Sequence, residues 1–346
     1  MIEDILRIYG YNNIEIGENL VSTLSYSKKP DNFKLQTLIS EQLTAQGFNE
    51  VLNNSLTKGA YYTNLTDFPE KQSVKIINPL SSDLNVMRQT LIFGGMENIA
   101  YNINRRNSNL KLYEFGNCYH FNAENKKNDE TLSAYSEEFH LGLWLTGSKN
   151  TNSWITSEQK TTVFELKAYV QNILIRLGFS VQKLCFEEYT SDIYSEAMSI
   201  KTRSGVLLAT FGFVSETVLK MTDVNTDVYY AELLWNNVLA ELNISATKFK
   251  ELPKYPEVRR DLALLIDKNI TFAEIERITY ETEKQLLKNI ALFDVYEGKN
   301  LDAGKKSYAV SFILQDENKT LTDTVIDSIM KKIQQNLENK IGAKLR

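Results

Sequence analysis

The sequence predicts an α+β protein in two parts. Strands outnumber helices and cluster without a strict β-α alternation, which favours a mostly antiparallel sheet. The last stretch, from residue 259, follows the order β-α-β-β-α-β, a ferredoxin-like split unit. A length of 346 residues is also long for a single core.

The elements read in order as follows. MIEDILRIYGYNNI opens with Ile2, Ile5, Leu6 and Ile8 at helical spacing, with nothing before Met1 to cap the turn or cover its stripe. That opening reads either as a frayed terminus or as a chain cut from something longer. Asp31 is placed to cap a helix over 32–46, with Leu35, Leu38, Ile39 and Leu43 on its face and Gly47 past its end. A strand is expected over 50–57; 75–91 reads as a strand, a turn at Asn78-Pro79 and then a second extended or helix-entry segment, and Gly94-Gly95 is read as a break before a helix over 96–105. KLYEFGNCYHF (111–121) is strand-like, 122–138 is a polar loop, and FHLGLWLTG (139–147) alternates so that Phe139, Leu141, Leu143 and Leu145 share a face. Val163, Leu166, Val170, Ile173, Leu174 and Leu177 mark a helix that Gly178 stops, and further strands fall at 205–215 and 227–235.

LPKYP (252–256) is the expected linker. Beyond it, 259–267 is a strand and 271–286 a helix capped by Thr271 with Glu274 in capping-box position. Strands over 290–298 and 305–316, a helix over 322–342 and a short final strand complete the unit. Tyr308, Val310, Phe312 and Leu314 share a face, which is expected to be core under the helices. Of Phe293 and Tyr296, alternation lets only one join it.

Composition excludes several classes. Apolar content of 42 % and charged content of 24 % are those of an ordinary globular protein. The net charge of −5 gives no global attraction to polyanions, so any nucleic-acid contact must be local. Cys118 and Cys185 make no disulfide framework and fit a reducing, cytoplasmic setting. No apolar run approaches a membrane span, and the acidic start lacks the order of a signal peptide.

Catalytic chemistry is hard to assemble from these residues, and no catalytic residue is assigned. His120 shares a strand face with Cys118 but has no second pair to complete a zinc site. His140 sits opposite Phe139 and Leu141. No nucleophile elbow or phosphate-cradling glycine loop occurs, and Glu3-Asp4 alone cannot fill six positions around a hard cation. In 253–346 the charges nearly balance, with basic clusters at Arg259-Arg260, Lys305-Lys306, Lys331-Lys332 and Lys344/Arg346.

The chain resembles the C-terminal part of the bacterial phenylalanyl-tRNA synthetase beta subunit. LRIYGYNNI (6–14), NPLSSDLNVMRQTL (78–91), NINRR, KLYEFG (111–116), YPEVRRDLALLID, LFDVYEGKNLDAGKKSYAVSFILQD and KTLTD (319–323) carry the resemblance in order. It implies the end of a DNA-binding-like helical domain (1–15), a class II synthetase-like antiparallel-sheet core without catalysis (16–250) and a ferredoxin-fold anticodon-binding domain (251–346). It also implies that ATP-dependent activation of phenylalanine belongs to an alpha subunit, and that the full enzyme is an (αβ)₂ heterotetramer that binds tRNA(Phe). The family's two adjacent magnesium-ligating acids match Glu3 and Asp4, with the remaining ligands and the proofreading domain expected upstream. Arg88 is the nearest echo of a catalytic arginine motif. Where the family often reads Gly-Glu-Leu-His-Pro, this chain has GFVSE (212–216).

On this reading Arg259, Arg260, Lys305, Lys306 and Arg346 are the expected tRNA contacts, with Asp261 orienting one guanidinium. The competing readings are an intradomain salt bridge for the arginines and, for the chain, a free-standing RNA-binding synthetase paralogue or a small-molecule sensor.

Overall fold

The computed structural model describes residues 2–15, 17, 31–127, 129–130, 132–242, 251–298, 301–302 and 304–345. It divides into two compact units, Met1–Ser245 and Ala246–Arg346. The first unit begins with helices α1 (Ile2–Tyr9) and α2 (Asn32–Ala45) and strand β1 (Asn49–Glu50). A small pair follows, β2 (Leu56–Thr57) with β3 (Val86–Met87), then α3 (Ile92–Ile103) and the long strands β4 (Leu110–Phe121) and β5 (Tyr135–Thr146). The hairpin β6 (Ser148–Asn150) and β7 (Gln159–Lys160) leads into α4 (Val163–Arg176), β8 (Leu184–Tyr189), β9 (Tyr194–Thr202) and β10 (Leu207–Val214). Helix α5 (Glu216–Met221), strand β11 (Val228–Leu234) and helix α6 (Trp235–Ala240) close the unit.

Its main sheet has the order β1-β4-β5-β11-β10-β9-β8. Only the β1–β4 pair is parallel. Both faces are covered. Leu141, Leu143 and Leu145 of β5 meet α2 and α4 through Ile39, Leu43, Leu166, Val170 and Ile173. Trp144, one residue out of phase, turns to the other side and packs under α3 with Phe93, Met96 and Ile99. The period-2 alternation of a strand thus feeds two separate cores, and each fully buried side chain of this size contributes about 1.5–3 kcal/mol. Helix α2 is capped as expected, the Asp31 carboxylate accepting from the Lys34 N–H at 3.2 Å.

The second unit comprises β12 (Val258–Asp267), α7 (Phe272–Thr282), β13 (Leu287–Tyr296), β14 (Lys305–Leu314), α8 (Asp323–Ile341) and β15 (Lys344–Leu345). The strand order β13-β14-β12-β15, all antiparallel, is the ferredoxin-like arrangement. Thr271 and Glu274 form the full capping box at the start of α7. Val310, Phe312 and Leu314 are fully buried against Ile275, Ile278, Ile326 and Ile333, so the stripe read from sequence is core. The α+β class stands as expected: a mostly antiparallel core sheet followed by a βαββαβ unit.

Several local expectations change. Of the segment 75–91 only Val86–Met87 is a strand; Lys75 makes an isolated bridge to Val86, and bends and the short 3₁₀ helix at Ser82–Leu84 lie between them. Gly94 and Gly95 do not break a helix but lie inside α3, where they let it approach Asn53 and Trp144. Helix α7 ends at Thr282 and not at 286. Among the described residues no helix is long and apolar enough to cross a membrane.

Candidate functional site

The arginine pair that the sequence singles out is divided by the pleat. In β12, Arg259 pairs with Ile313 and Asp261 with Ser311, whereas Arg260 pairs with Phe312 and Leu262 with Val310. Phe312 and Val310 face the helices, so Arg259 lies on the open face of the sheet and Arg260 on the helix side. Arg259 Nε donates to Asp261 Oδ1 at 2.9 Å, and its guanidinium carbon sits 5.1 Å from the Phe293 ring centroid. Arg260 Nη2 donates to Asp323 Oδ1, at the first turn of α8, at 3.0 Å. Asp261 therefore does orient one guanidinium, that of Arg259.

The remaining expected contacts divide in the same way. Lys305 lies opposite Asp267 on the open face and pairs with it at 2.7 Å. Lys306 is on the helix side, buried, its Nζ 4.5 Å from the Tyr308 ring centroid. Arg346 lies outside the described residues. The open face thus presents Arg259 and Lys305, each held by a single aspartate in a surface pair worth at most about 1 kcal/mol. Such pairs yield readily to a phosphate oxygen.

Phe293 is the residue that sequence reasoning missed here. It is 53 % exposed. Neither it nor Tyr296 joins the core stripe: Phe293 alternates away from Leu292, and a bulge between Leu292 and Asp294 resets the phase so that Tyr296 follows it. Arg259 covers Phe293 on the open face, and Tyr296 pairs there with Ser307. A bulge has no clear sequence signature in LFDVYEG.

The α3-side face of the first unit's sheet is where polar side chains converge, and it is filled. Arg88 Nη1 donates to Glu114 Oε1 at 2.6 Å and Arg88 Nε to the Asn117 carbonyl at 2.8 Å. Glu114 also accepts from Asn53 N at 3.1 Å and Asn53 Nδ2 at 2.6 Å. Arg88 is 6 % and Glu114 0 % exposed. Beside them Trp144 stacks at 5.1 Å from Tyr230 and occupies the space left by Gly95 and Gly142, where any Cβ would overlap its indole. The echo of a catalytic arginine is thus a buried, fully engaged ion pair.

Next to this lies His140, the partner of Glu232. His140 Nδ1 bonds Glu232 Oε1 at 2.9 Å and Nε2 faces Glu138 Oε2 at 3.4 Å. Burial alone would lower the imidazole's pKa, but the bonds to Cys118, Glu138 and Glu232 outweigh it and push it up to about 12. Burial raises the Glu232 carboxyl, yet His140, the Leu91 N–H and the Thr90 hydroxyl together hold it below its ordinary value. At α1, the expected magnesium ligand Glu3 is exposed and takes Arg7 Nη2 at 2.7 Å.

The first unit is thus an antiparallel core whose α3-side face is filled, and the second is a βαββαβ unit carrying an arginine on an exposed aromatic. Residues 18–235 match the phenylalanyl tRNA synthetase beta chain CLM domain, and residues 253–346 match the ferredoxin-fold anticodon binding domain. The chain belongs to the phenylalanyl-tRNA synthetase beta chain family. It is 56 % identical over its whole length to the phenylalanine–tRNA ligase beta subunit of Bacteroides fragilis and 48 % identical to that of Porphyromonas gingivalis. It spans 42 % of the length of each of these relatives. A solved pyrrolysyl-tRNA synthetase from Desulfitobacterium hafniense covers 61 % of the chain at 14 % identity and a TM-score of 0.44, an overlap too loose to carry an argument.

Proposed function

We propose that this chain is the non-catalytic, tRNA-holding portion of a phenylalanine–tRNA ligase, working beside an alpha subunit in an (αβ)₂ enzyme of the cytoplasm. The observation that carries the tRNA part is the Arg259–Phe293 pair on the open face of an anticodon-binding-type unit. Arginine supplies a phosphate contact, and the exposed ring offers a surface on which an unpaired base stacks. The relatives' names, beta subunits of one ligase, support this reading over a free-standing paralogue.

The split doublet gives a sharp test with transcribed tRNA(Phe) and the αβ enzyme. Arg259→Ala is expected to weaken binding and lower the magnitude of the log Kd–log salt slope by about 1. Phe293→Ala is expected to cost about 1–3 kcal/mol of binding with little change in slope. Arg260→Ala is expected to leave binding unchanged and to cost at most about 1 kcal/mol of stability. Equal losses from the two arginine variants would count against the open face.

ATP-dependent adenylation is assigned to the alpha subunit. Support comes from Arg88, whose guanidinium is buried in bonds to Glu114 and the Asn117 carbonyl and not presented to a nucleotide phosphate. This chain alone, given ATP and phenylalanine, is expected to exchange no pyrophosphate above background; exchange at the rate of the complex would overturn the assignment. Magnesium fits poorly at Glu3 and Asp4, since two exposed carboxylates, one of them engaged by Arg7, supply too few oxygens for its octahedron.

A further inference from the structure

We propose that Cys118, His140 and Glu232 form a three-ligand zinc site, with water in the fourth position, that ties three neighbouring strands of the first unit together. Among the described residues their ligand atoms, Cys118 Sγ, a His140 ring nitrogen and a Glu232 carboxylate oxygen, lie within 4.8 Å of one another, and all three residues are buried. They come from β4, β5 and β11, adjacent in the sheet. Tetrahedral zinc, with bonds of about 2.0–2.3 Å, sets its donor atoms roughly 3.3–3.6 Å apart. The observed separations of 2.9 Å (His140 Nδ1 to Glu232 Oε1) and 4.0 Å (Cys118 Sγ to the same oxygen) straddle that range. The third separation, Cys118 Sγ to the imidazole, is within 4.8 Å, and side-chain shifts of about an ångström would close the set.

The surroundings are those of a metal centre. With Nδ1 on the ion, His140 Nε2–H faces Glu138 Oε2 at 3.4 Å, the carboxylate–histidine–metal arrangement that fixes a ligand imidazole. Thr90 Oγ1 donates to Glu232 Oε2 at 2.9 Å and the Leu91 N–H to Oε1 at 3.2 Å, which orients the carboxylate. An independent sign comes from Tyr230, two residues before Glu232 on the same face of β11. Its hydroxyl is buried without a hydrogen-bond partner. A water on the open fourth position of the ion would supply one. One thiolate, one imidazole and one carboxylate suit zinc, whereas magnesium and calcium need more oxygens. On binding, Cys118 loses its thiol proton and His140 its Nδ1 proton to solvent. Thiolate and carboxylate then balance the ion's two charges.

The ligands are sealed from solvent, so loading is tested during refolding. The purified chain is refolded under reducing conditions with Zn²⁺ or Co²⁺, freed of unbound metal, and analysed for metal content and absorption. The expected result is about one ion per chain, a tetrahedral visible spectrum with Co²⁺ and a thiolate-to-cobalt charge-transfer band. That band should vanish in Cys118→Ser and persist in Cys185→Ser. Glu138→Gln, at a half-exposed side chain, keeps the fold accessible if Cys118→Ser does not refold, and is expected to weaken metal affinity about 10–100-fold. Metal content below about a tenth of an ion per chain, a band that survives Cys118→Ser, or unchanged affinity in Glu138→Gln would overturn the proposal.

Discussion

Replacing Arg88 with methionine is expected to lower the unfolding free energy of the first unit by about 3–5 kcal/mol, read from the urea midpoint at constant m-value. The cause is what the substitution leaves behind. Glu114 is completely buried, and without the guanidinium at 2.6 Å only the donors of Asn53 face its charge. The Asn117 carbonyl loses its partner as well. Adding Glu114→Gln should recover a good part of the loss, because a neutral amide removes the stranded charge and keeps an acceptor for Asn53. A double variant as unstable as Arg88→Met would show that packing, not the uncompensated charge, dominates.

Trp144→Ala is expected to cost a similar amount, about 3–5 kcal/mol, through lost burial and the cavity that remains. Helix α3 and β5 approach so closely at Gly95 and Gly142 that no neighbouring side chain stands ready to fill the space. Trp144→Phe separates packing from hydrogen bonding. The indole Nε1 is buried with no hydrogen-bond partner, so losing it removes a desolvation penalty and offsets part of the lost area. That variant should cost less than about 1.5 kcal/mol. Thermal unfolding of both variants, followed by circular dichroism, gives the comparison; equal losses would mean that the ring's shape alone is being read.

Much of the architecture could be read from local pattern. Thr271 with Glu274 announced α7, and alternating leucines at 141, 143 and 145 announced a strand with one face in a core. What could not be read depended on partners distant in the chain. Gly94-Gly95 looks like a breaker until the indole of Trp144, fifty residues on, is placed against it. Cys118 seems to belong with His120 because both lie on one strand, yet the neighbour across the sheet is His140. Strands β8 and β9 went unread, their charged and aromatic residues hiding the alternation. The division of Arg259 from Arg260 was legible in principle, since adjacent strand residues always point apart. The placing of Tyr296 beside Phe293 on the open face was not, because it follows from one extra residue in β13.

The pairing of β15 with β12 has a consequence for how the second unit is made. Leu264 and Leu265 take their partners, Leu345 and Lys344, from the far end of the unit. During synthesis that side of β12 waits, backbone groups unpaired, until Lys344 and Leu345 have been made. A product lacking those two residues would therefore carry a bare strand edge, which is a substrate for aggregation and proteolysis.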